Sequence, residues 1–408
     1  MSACYGTMFL TTKNIPRRHS HDPRTFYMDT NEIQSLIQHS VQDDLAKNIL
    51  LTVFHQIMEQ QRTDYLQAED YERSGKRVSQ RNGYYERELT TRIGTLELKV
   101  PRTRDGKFTP DVFERYQRHE KALLASMIEM YVSGVSTRKV SKIVEELCGK
   151  TVSKSFVSSL TVQLDPLVKE WQNRSLGGTK YPFLMVDVVY IKVREDHRVL
   201  SKSCHIALGI TEEGEREILG FLLQNGESEE TWTTFFEQLK SRGLSGTQLV
   251  ISDAHAGLVT AIRKSFAGIS WQRCQVHFLR NILTTVPKKE SKPFREALKA
   301  IFRFTDIRLA RAAKDELIDV YSQKKAYEKA CQRLDEGFED AFQYTVMDNV
   351  HSRLKSTNLL ERLNQEVRRR EKIIRIFPNL PSANRLIGAV LMDLHEEWIT
   401  SSRKYIQF

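Results

Sequence analysis

Three carboxylates stand where chemistry is a reason for their presence. Asp187 interrupts the apolar run Phe183-Leu-Met-Val-Asp-Val-Val-Tyr-Ile, and strand alternation puts it on the face shared by Phe183, Met185, Val189 and Ile191. A charge there is costly unless it is paired or holds a metal; a salt bridge to a neighbouring strand is the plain alternative. Asp253 ends the run Leu249-Val-Ile-Ser and precedes a helix. It could simply cap that helix, yet the carboxyl end of a strand is also where α/β sheets place ligand groups. Glu361 follows Asn358 by three residues, the spacing of a capping box. It shares a helical face with Asn364 and Arg368, beside the apolar stripe Leu360, Leu363 and Val367. A carboxylate, an amide and a guanidinium together suit a metal ligand beside a phosphate contact. The chemistry that wants several acids is phosphoryl transfer, in which two divalent ions about 3.5 to 4 Å apart stabilise the attacking and leaving oxygens. Mg²⁺ takes carboxylate oxygens and keeps several waters, so a few Asp and Glu suffice. Type and spacing alone do not single out these three among 52 acidic side chains.

The elements that must position them change period along the chain. From Asn31 to about Asp70 apolar residues recur at helical spacing. Residues 75–113 alternate about a Gly94 turn and predict a short basic β-hairpin, with Arg81, Tyr84, Arg102 and Arg104 as candidate DNA contacts. Three helices are predicted next, Leu123 to Val132, Ser136 to Leu147 and Ser153 to Trp171, with Ser136 and Ser153 as N-caps. Short helices joined by Gly-containing turns fit a helix-turn-helix, whose third helix offers Ser155, Ser158 and Ser159 to DNA. Any small helical bundle shows the same pattern. From Tyr181 the pattern becomes extended: strands at Phe183 to Val193, Ser203 to Thr211 and Ile218 to Gln224, a helix at Glu229 to Arg242, a strand at Gln248 to Ser252, a helix at Ala254 to Phe266 and a strand at Ser270 to Cys274. This order predicts a mixed α/β sheet. Leu279 to about Tyr344 is purely helical, and helices at Asn358 to Arg370 and Ser382 to Arg403 complete the sheet domain. Trp232, at helical spacing with Phe235 and Phe236, reads as core rather than a base-stacking platform.

At 408 residues, two or three domains are expected. The 62 basic and 52 acidic side chains leave +10, which favours a polyanionic partner, nucleic acid first. His351 to Arg375 holds eight Lys and Arg against three Glu. Such a run is either a solvated face or a place for phosphates. Five irregularly spaced cysteines argue against a secreted disulfide framework. No apolar signal region and no stretch of 18 apolar residues is found. The expectation is a soluble, cytoplasmic protein with no membrane contact.

The same residues carry a family resemblance. Arg81-Asn-Gly-Tyr-Tyr, Gly94-Thr-Leu-Glu-Leu-Lys-Val-Pro-Arg, Met130-Tyr-Val-Ser-Gly-Val-Ser-Thr-Arg-Lys-Val, Asp187-Val-Val-Tyr-Ile-Lys-Val-Arg, Ser252-Asp-Ala-His-Ala-Gly-Leu, Cys274-Gln-Val-His-Phe-Leu-Arg-Asn and Thr357-Asn-Leu-Leu-Glu-Arg-Leu-Asn together make the chain closely resemble the mutator-type transposases of bacterial insertion sequences. The resemblance spans essentially the full length. It implies a ribonuclease-H-like mixed-sheet core whose DDE triad maps onto Asp187, Asp253 and Glu361, binding Mg²⁺ with Mn²⁺ as substitute. It also implies an all-α insertion before the Glu, an amino-terminal half that binds terminal inverted repeats, and a homodimer or higher oligomer acting on repeat and target DNA near the nucleoid. Segments follow: a helical region at 1–75, a DNA-binding region at 76–175, the core at 181–278 and 351–408, and the insertion at 279–350.

Cys274 and His277 correspond to a Cys-x-x-His motif of the family. Two ligands are half a tetrahedral site and no second pair has suitable spacing, so a structural role near the site is expected and zinc is not. Arg368, Arg369, Arg370 and Lys372 are expected to hold the DNA backbone. The rival readings are a nuclease of the same fold that hydrolyses without joining, and a transposase-derived DNA-binding regulator without catalysis.

Overall fold

In the computed structural model, which describes residues 45–112, 118–287, 291–346, 352–401 and 404–407, the chain divides between Arg118 and His119. The division falls inside the 76–175 segment read from sequence as one region: the hairpin lies in the first unit and the helices that follow in the second.

The first unit pairs a helix with a hairpin. Helix α1 (Leu45–Leu66) is the described part of the predicted amphipathic head; residues 31–44 lie outside the described residues. Strands β1 (Arg81–Thr91) and β2 (Gly94–Thr103) pair antiparallel about the predicted Gly94 turn. Alternation puts Leu96, Leu98 and Val100 on one side of β2, where they bury against Leu50, Phe54 and Met58 of α1.

The second unit begins with α2 (Lys121–Val132), α3 (Thr137–Cys148) and α4 (Lys154–Thr161). Both expected caps form: Ser136 accepts from the Lys139 N–H and Ser153 from the Phe156 N–H. Leu123, Met127, Val140, Val144, Val157 and Leu160 give these helices their own core. The third helix departs from expectation. It breaks at Val162 and resumes as α5 (Leu164–Gln172), because Pro166 has no N–H for the Val162 carbonyl and its ring would clash with that oxygen.

Strands β3 (Phe183–Glu195), β4 (Arg198–Ile210) and β5 (Arg216–Gln224) meander antiparallel. Through α6 (Glu229–Ser241) and α7 (Ala256–Ser265) the chain then adds β6 (Leu249–Ser252) and β7 (Ser270–Arg273) parallel to β3. The strand order is β5-β4-β3-β6-β7, a mixed sheet with the switch from antiparallel to parallel at β3. Helix α8 (Gln275–Leu283) leaves β7 for α9 (Lys292–Ile301), α10 (Ile307–Tyr321), α11 (Glu328–Gly337) and short 3₁₀ turns. The excursion returns to the sheet edge at Gln272, whose Nε2 donates to the Ala341 carbonyl (2.7 Å) while its Oε1 accepts from the Tyr344 N–H (2.9 Å). Two long helices, α12 (Asn358–Ile374) and α13 (Leu380–Thr400), close the unit.

Odd-numbered residues of β3 from Phe183 to Val193 other than Asp187 bury under α12, α13 and the α9–α11 excursion. Leu184 and Val186 bury under α6 and α7. Trp232 is fully buried there, as its helical spacing predicts. The four described cysteines are buried. Among the described residues no helix is long and apolar enough to cross a membrane.

Candidate active site

Asp187 lies within β3, just past the point where its parallel pairing with β6 ends, and Asp253 directly follows the end of β6. Pairing of β3 with β6 runs to Met185 opposite Ile251, and each aspartate lies two residues further on. Asp187 is the polar interruption predicted for its apolar face. Its Oδ1 accepts from the Val188 N–H (2.9 Å) and its Oδ2 from Asn364 Nδ2 (2.7 Å). Burial, reinforced by the charge of Asp253 and opposed by His277 and Asn364, raises its pKa to about 6. Among the described residues no salt bridge pairs with this carboxylate; its side-chain partner is an amide from a helix 177 residues away.

Asp253 is not the cap of α7. That position belongs to His255, whose N–H donates to Asp253 Oδ1 at 3.3 Å, so the aspartate closes a small turn between strand and helix. The preceding Ser252 is pinned by Trp271 Nε1 (2.9 Å), and its carbonyl accepts from the Cys274 N–H (2.7 Å).

Helix α12 brings Glu361 and Asn364 to this place, and two connections fix the helix. At its start, Cys274 Sγ accepts from the Thr357 N–H (3.4 Å) and hydroxyl (3.3 Å), tying the N-cap residue of α12 to the end of β7. Beyond its end, the Phe377 N–H donates to the Lys192 carbonyl (2.8 Å) and the Phe377 carbonyl accepts from the Arg194 N–H (2.9 Å), a bridge onto β3. Leu359, Leu360, Leu363 and Val367 form the buried stripe between them.

His277 is the common neighbour of the three acids. Its Nε2 lies 3.4 Å from Glu361 Oε1, and Arg280, one turn on, lies 3.5 Å from the same oxygen. Interaction with the Cys274 side chain, against the penalty of burial and with the charges of Asp187 and Asp253 adding to it, raises the His277 pKa to about 9. Burial would push the Cys274 thiol up; His277 and Thr357 outweigh it and hold the thiol below its ordinary value. Cys274 is thus linked through Thr357 to the start of the Glu361 helix, and His277 to the Glu361 carboxylate. Among the described residues no three His, Cys, Asp or Glu side chains stand together as a metal-holding group; Glu361 is engaged by cations instead.

A family model described as "Transposase, Mutator family" matches residues 22–401. The chain belongs to the Mutator family of transposases. It is 75% identical over 383 residues to the transposase for insertion sequence element IS256 in transposon Tn4001 of Staphylococcus aureus, covering 94% of this chain and 98% of that one. It is 41% identical over 361 residues to the transposase for insertion sequence element ISRM5 of Rhizobium meliloti (88% and 90% covered) and 36% identical over 381 residues to that for IS1081 of Mycobacterium tuberculosis (93% and 91%). The Drosophila P element transposase strand transfer complex aligns with 75% of this chain and 84% of its own at 12% identity and a TM-score of 0.30, too low to bear on the fold.

In this Mutator-family transposase, DNA is the partner the surface must meet, and the expected DNA contacts fall into two kinds. Tyr84, Arg102, Arg104, Ser155, Ser158, Arg368, Arg369 and Lys372 are exposed. Arg102 stacks over the Tyr85 ring (4.7 Å) and Arg104 reaches Gln80 (2.9 Å), each ordered within the first unit. Arg81 and Arg370 are different, since both are held by partners within the protein. Arg81 pairs with Asp70 (2.7 Å) and donates to the Ala68 carbonyl and the Thr63 hydroxyl, so its guanidinium clamps the loop after α1 to the hairpin. Arg370 is buried and donates through Nε to the Val132 carbonyl (2.8 Å). Gly134 (φ 93°) admits it, since a Cβ there would meet the Arg370 side chain at 2.9 Å. Asn364 was visible in the sequence as a face-mate of Glu361, but its partner was not.

Proposed function

We propose that this Mutator-family transposase is a DDE enzyme that binds the terminal inverted repeats of an insertion sequence and carries out metal-dependent strand cleavage and strand transfer on a ribonuclease-H-like core. Asp187 and Asp253, with Glu361 once it exchanges His277 and Arg280 for the ion, would hold Mg²⁺, with Mn²⁺ as substitute. The observation that carries the reading is the Asn364–Asp187 hydrogen bond, which joins the helix of Glu361 to the strand of Asp187 with Asp253 on the adjacent strand. Hard oxygen donors suit these ions. A desolvated Asp187 with a raised pKa, and the buried Asn364 Oδ1 with no partner in the described structure, fit a site that takes a cation and its water. When bound, divalent ions supply stabilisation of the attacking and leaving oxygens at one phosphorus.

The chain's own residues have separate tasks. Asn364 orients Asp187, the Ser252–Trp271 contact fixes the strand end that presents Asp253, and Cys274 with Thr357 sets the start of the Glu361 helix. His277 and Arg280 balance the charge of Glu361. The three-helix set α2–α4 serves as a helix-turn-helix, with Ser155 and Ser158 on the exposed side of α4. The enzyme works near the nucleoid as a homodimer or higher oligomer holding both element ends.

The test is incubation of purified full-length protein with a labelled element end, target plasmid and Mg²⁺. Joined product is expected from the wild type, and neither joining nor cleavage from D187N, D253N or E361Q, each still binding the end. Nicks without joining would make the protein a nuclease. Cleavage at full rate by any of the three variants would remove that residue from the site.

A further inference from the structure

The start of α12 opens on a second feature, a cavity of about 750 Å³ that shares Glu361 with the acidic site but is lined mainly by cations. Arg216 of β5, Arg353, Arg362 of α12 and Lys404 line it together with Tyr405 and Asn358. Glu361 is the acid in its described lining, and that carboxylate is paired with His277 and Arg280. The cations are built into the wall. The Arg216 guanidinium lies over the rings of Trp398 (4.4 Å) and Tyr405 (5.9 Å), and Arg353 lies over Tyr405 (4.8 Å) while donating to its carbonyl. Burial, and the neighbouring charges of Arg353 and Arg362, lower the Arg216 pKa against the pull of Tyr405 and Glu397, which places three guanidiniums within electrostatic reach of one another.

The carboxyl-terminal segment is anchored so that it completes this wall. The N–H groups of Tyr405 and Ile406 both donate to the Gly214 carbonyl (2.8 and 3.0 Å), and Ile406 is fully buried. Gly214 sits at φ 81°, and a Cβ there would collide with the Ile406 carbonyl. From Arg362 and Gln365 in the cavity wall, the exposed side of α12 continues at helical spacing to Arg369 and Lys372. Arg362 to Lys372 spans about 15 Å, roughly four phosphates of one DNA strand.

We propose that this cavity is a subsite for a backbone phosphate of DNA, held by Arg216, Arg353, Arg362 and Lys404 at the opposite end of α12 from Arg368 and Lys372. The N–H groups in the first turn of α12, at Asn358 and Leu359, add donors at the positive end of the helix dipole. A polymer phosphate fits better than a nucleotide, because the rings that could stack a base are covered by Arg216 and Arg353 and because the exposed cations continue along the helix. The subsite rests on the DNA-processing function proposed above and extends it to a second contact on the bound strand.

The test uses the full chain and duplexes of the element end in which single phosphates are replaced by neutral methylphosphonates. Wild-type affinity is expected to fall several-fold for replacement at one backbone position on the cavity side. R362Q/K404Q should bind the unmodified duplex several-fold more weakly, lose about one unit of salt slope, and be indifferent to that replacement; R362K/K404R should restore both. An unchanged slope with the wild-type pattern of sensitivity overturns the subsite. So does stabilisation of the wild type by inorganic phosphate that the double variant abolishes while its DNA slope stays intact, since the cavity would then serve a free anion. A D187N protein that still cleaves would sink the active-site assignment and leave this measurement standing.

Discussion

The two faces of the central sheet are built differently. The face under α6 and α7 draws its core from a nearly continuous stretch, Leu176 to Trp271, and closes with Trp232, Phe235, Phe236 and Leu258 fully buried. The other face draws from Val132 to Ile406 and includes the helical excursion between α8 and α12. On β3 the local face is uninterrupted at Leu184 and Val186, whereas the assembled face carries Asp187 among Met185, Val189 and Ile191. Stability and chemistry are thereby separated on β3: its residues on the locally formed face, Leu184 and Val186, are apolar, and its buried carboxylate sits where distant segments meet to surround it.

The sharpest break in that comparison is on the local face. Trp232→Ala removes a fully buried indole and is expected to cost about 3 to 5 kcal/mol, read as a lower Tm, with DNA cleavage lost only in proportion to unfolded protein. Cleavage lost at full folding would assign Trp232 to the site.

Asp187→Asn should do the opposite. With a folded pKa of about 6 against an ordinary 3.8, the folded metal-free protein holds the Asp187 proton more tightly than the unfolded chain. The stabilisation is complete below the unfolded pKa and is lost as pH rises through about 6. At pH 7 the ionised carboxylate therefore costs about 3 kcal/mol. D187N should gain about that much stability without divalent ions, gain little at pH 4, and lose strand cleavage. Denaturant unfolding at both pH values checks it; a destabilised D187N at pH 7 would mean that the carboxylate is already compensated.

His205 tests the local face by pH. Burial lowers its pKa to about 4, from an ordinary 6.5, and its ring meets Trp232 edge-on at 4.3 Å. The neutral form is the folded one, so stability is lost as pH falls below 6.5, by about 2 kcal/mol at pH 5. His205→Asn should flatten that part of the acid limb in urea unfolding; an unaltered limb would show that His205 protonates without opening the core.

The smaller effects return to the assembled face. Cys274→Ala removes the acceptor for Thr357 and should cost about 1 kcal/mol, while lowering cleavage far more than stability, and Cys274→Ser should recover part of the activity. Equal losses in both readouts would make Cys274 merely a packing residue. R368Q/R369Q/K372Q should leave the Tm unchanged and reduce the salt slope of DNA binding by up to about one unit per phosphate contact, whereas Arg370→Gln should lower the Tm because its guanidinium holds the Val132 carbonyl. An unaltered slope would return the three exposed cations to a solvated face.

Much of this was determined by the sequence alone. Alternation fixed which β3 residues share a face with Asp187, Ser136 and Ser153 marked their helix starts, and the α/β order followed from the change of period at Tyr181. These depend on neighbours in the chain, where backbone geometry sets the spacing. Residue patterns left Asp253 as a possible cap and Arg81 and Arg370 as surface cations. Tertiary structure moved the cap to His255, turned Arg81 onto Asp70 and Arg370 onto Val132, and joined Asn364 to Asp187 and Cys274 to Thr357. A helical period says which side chains share a face, but not what faces them. That is decided by which segments, 177 residues apart for Asn364 and Asp187, bury their apolar stripes against the same strand, because a buried polar group finds its partner only after the packing that desolvates it has been chosen.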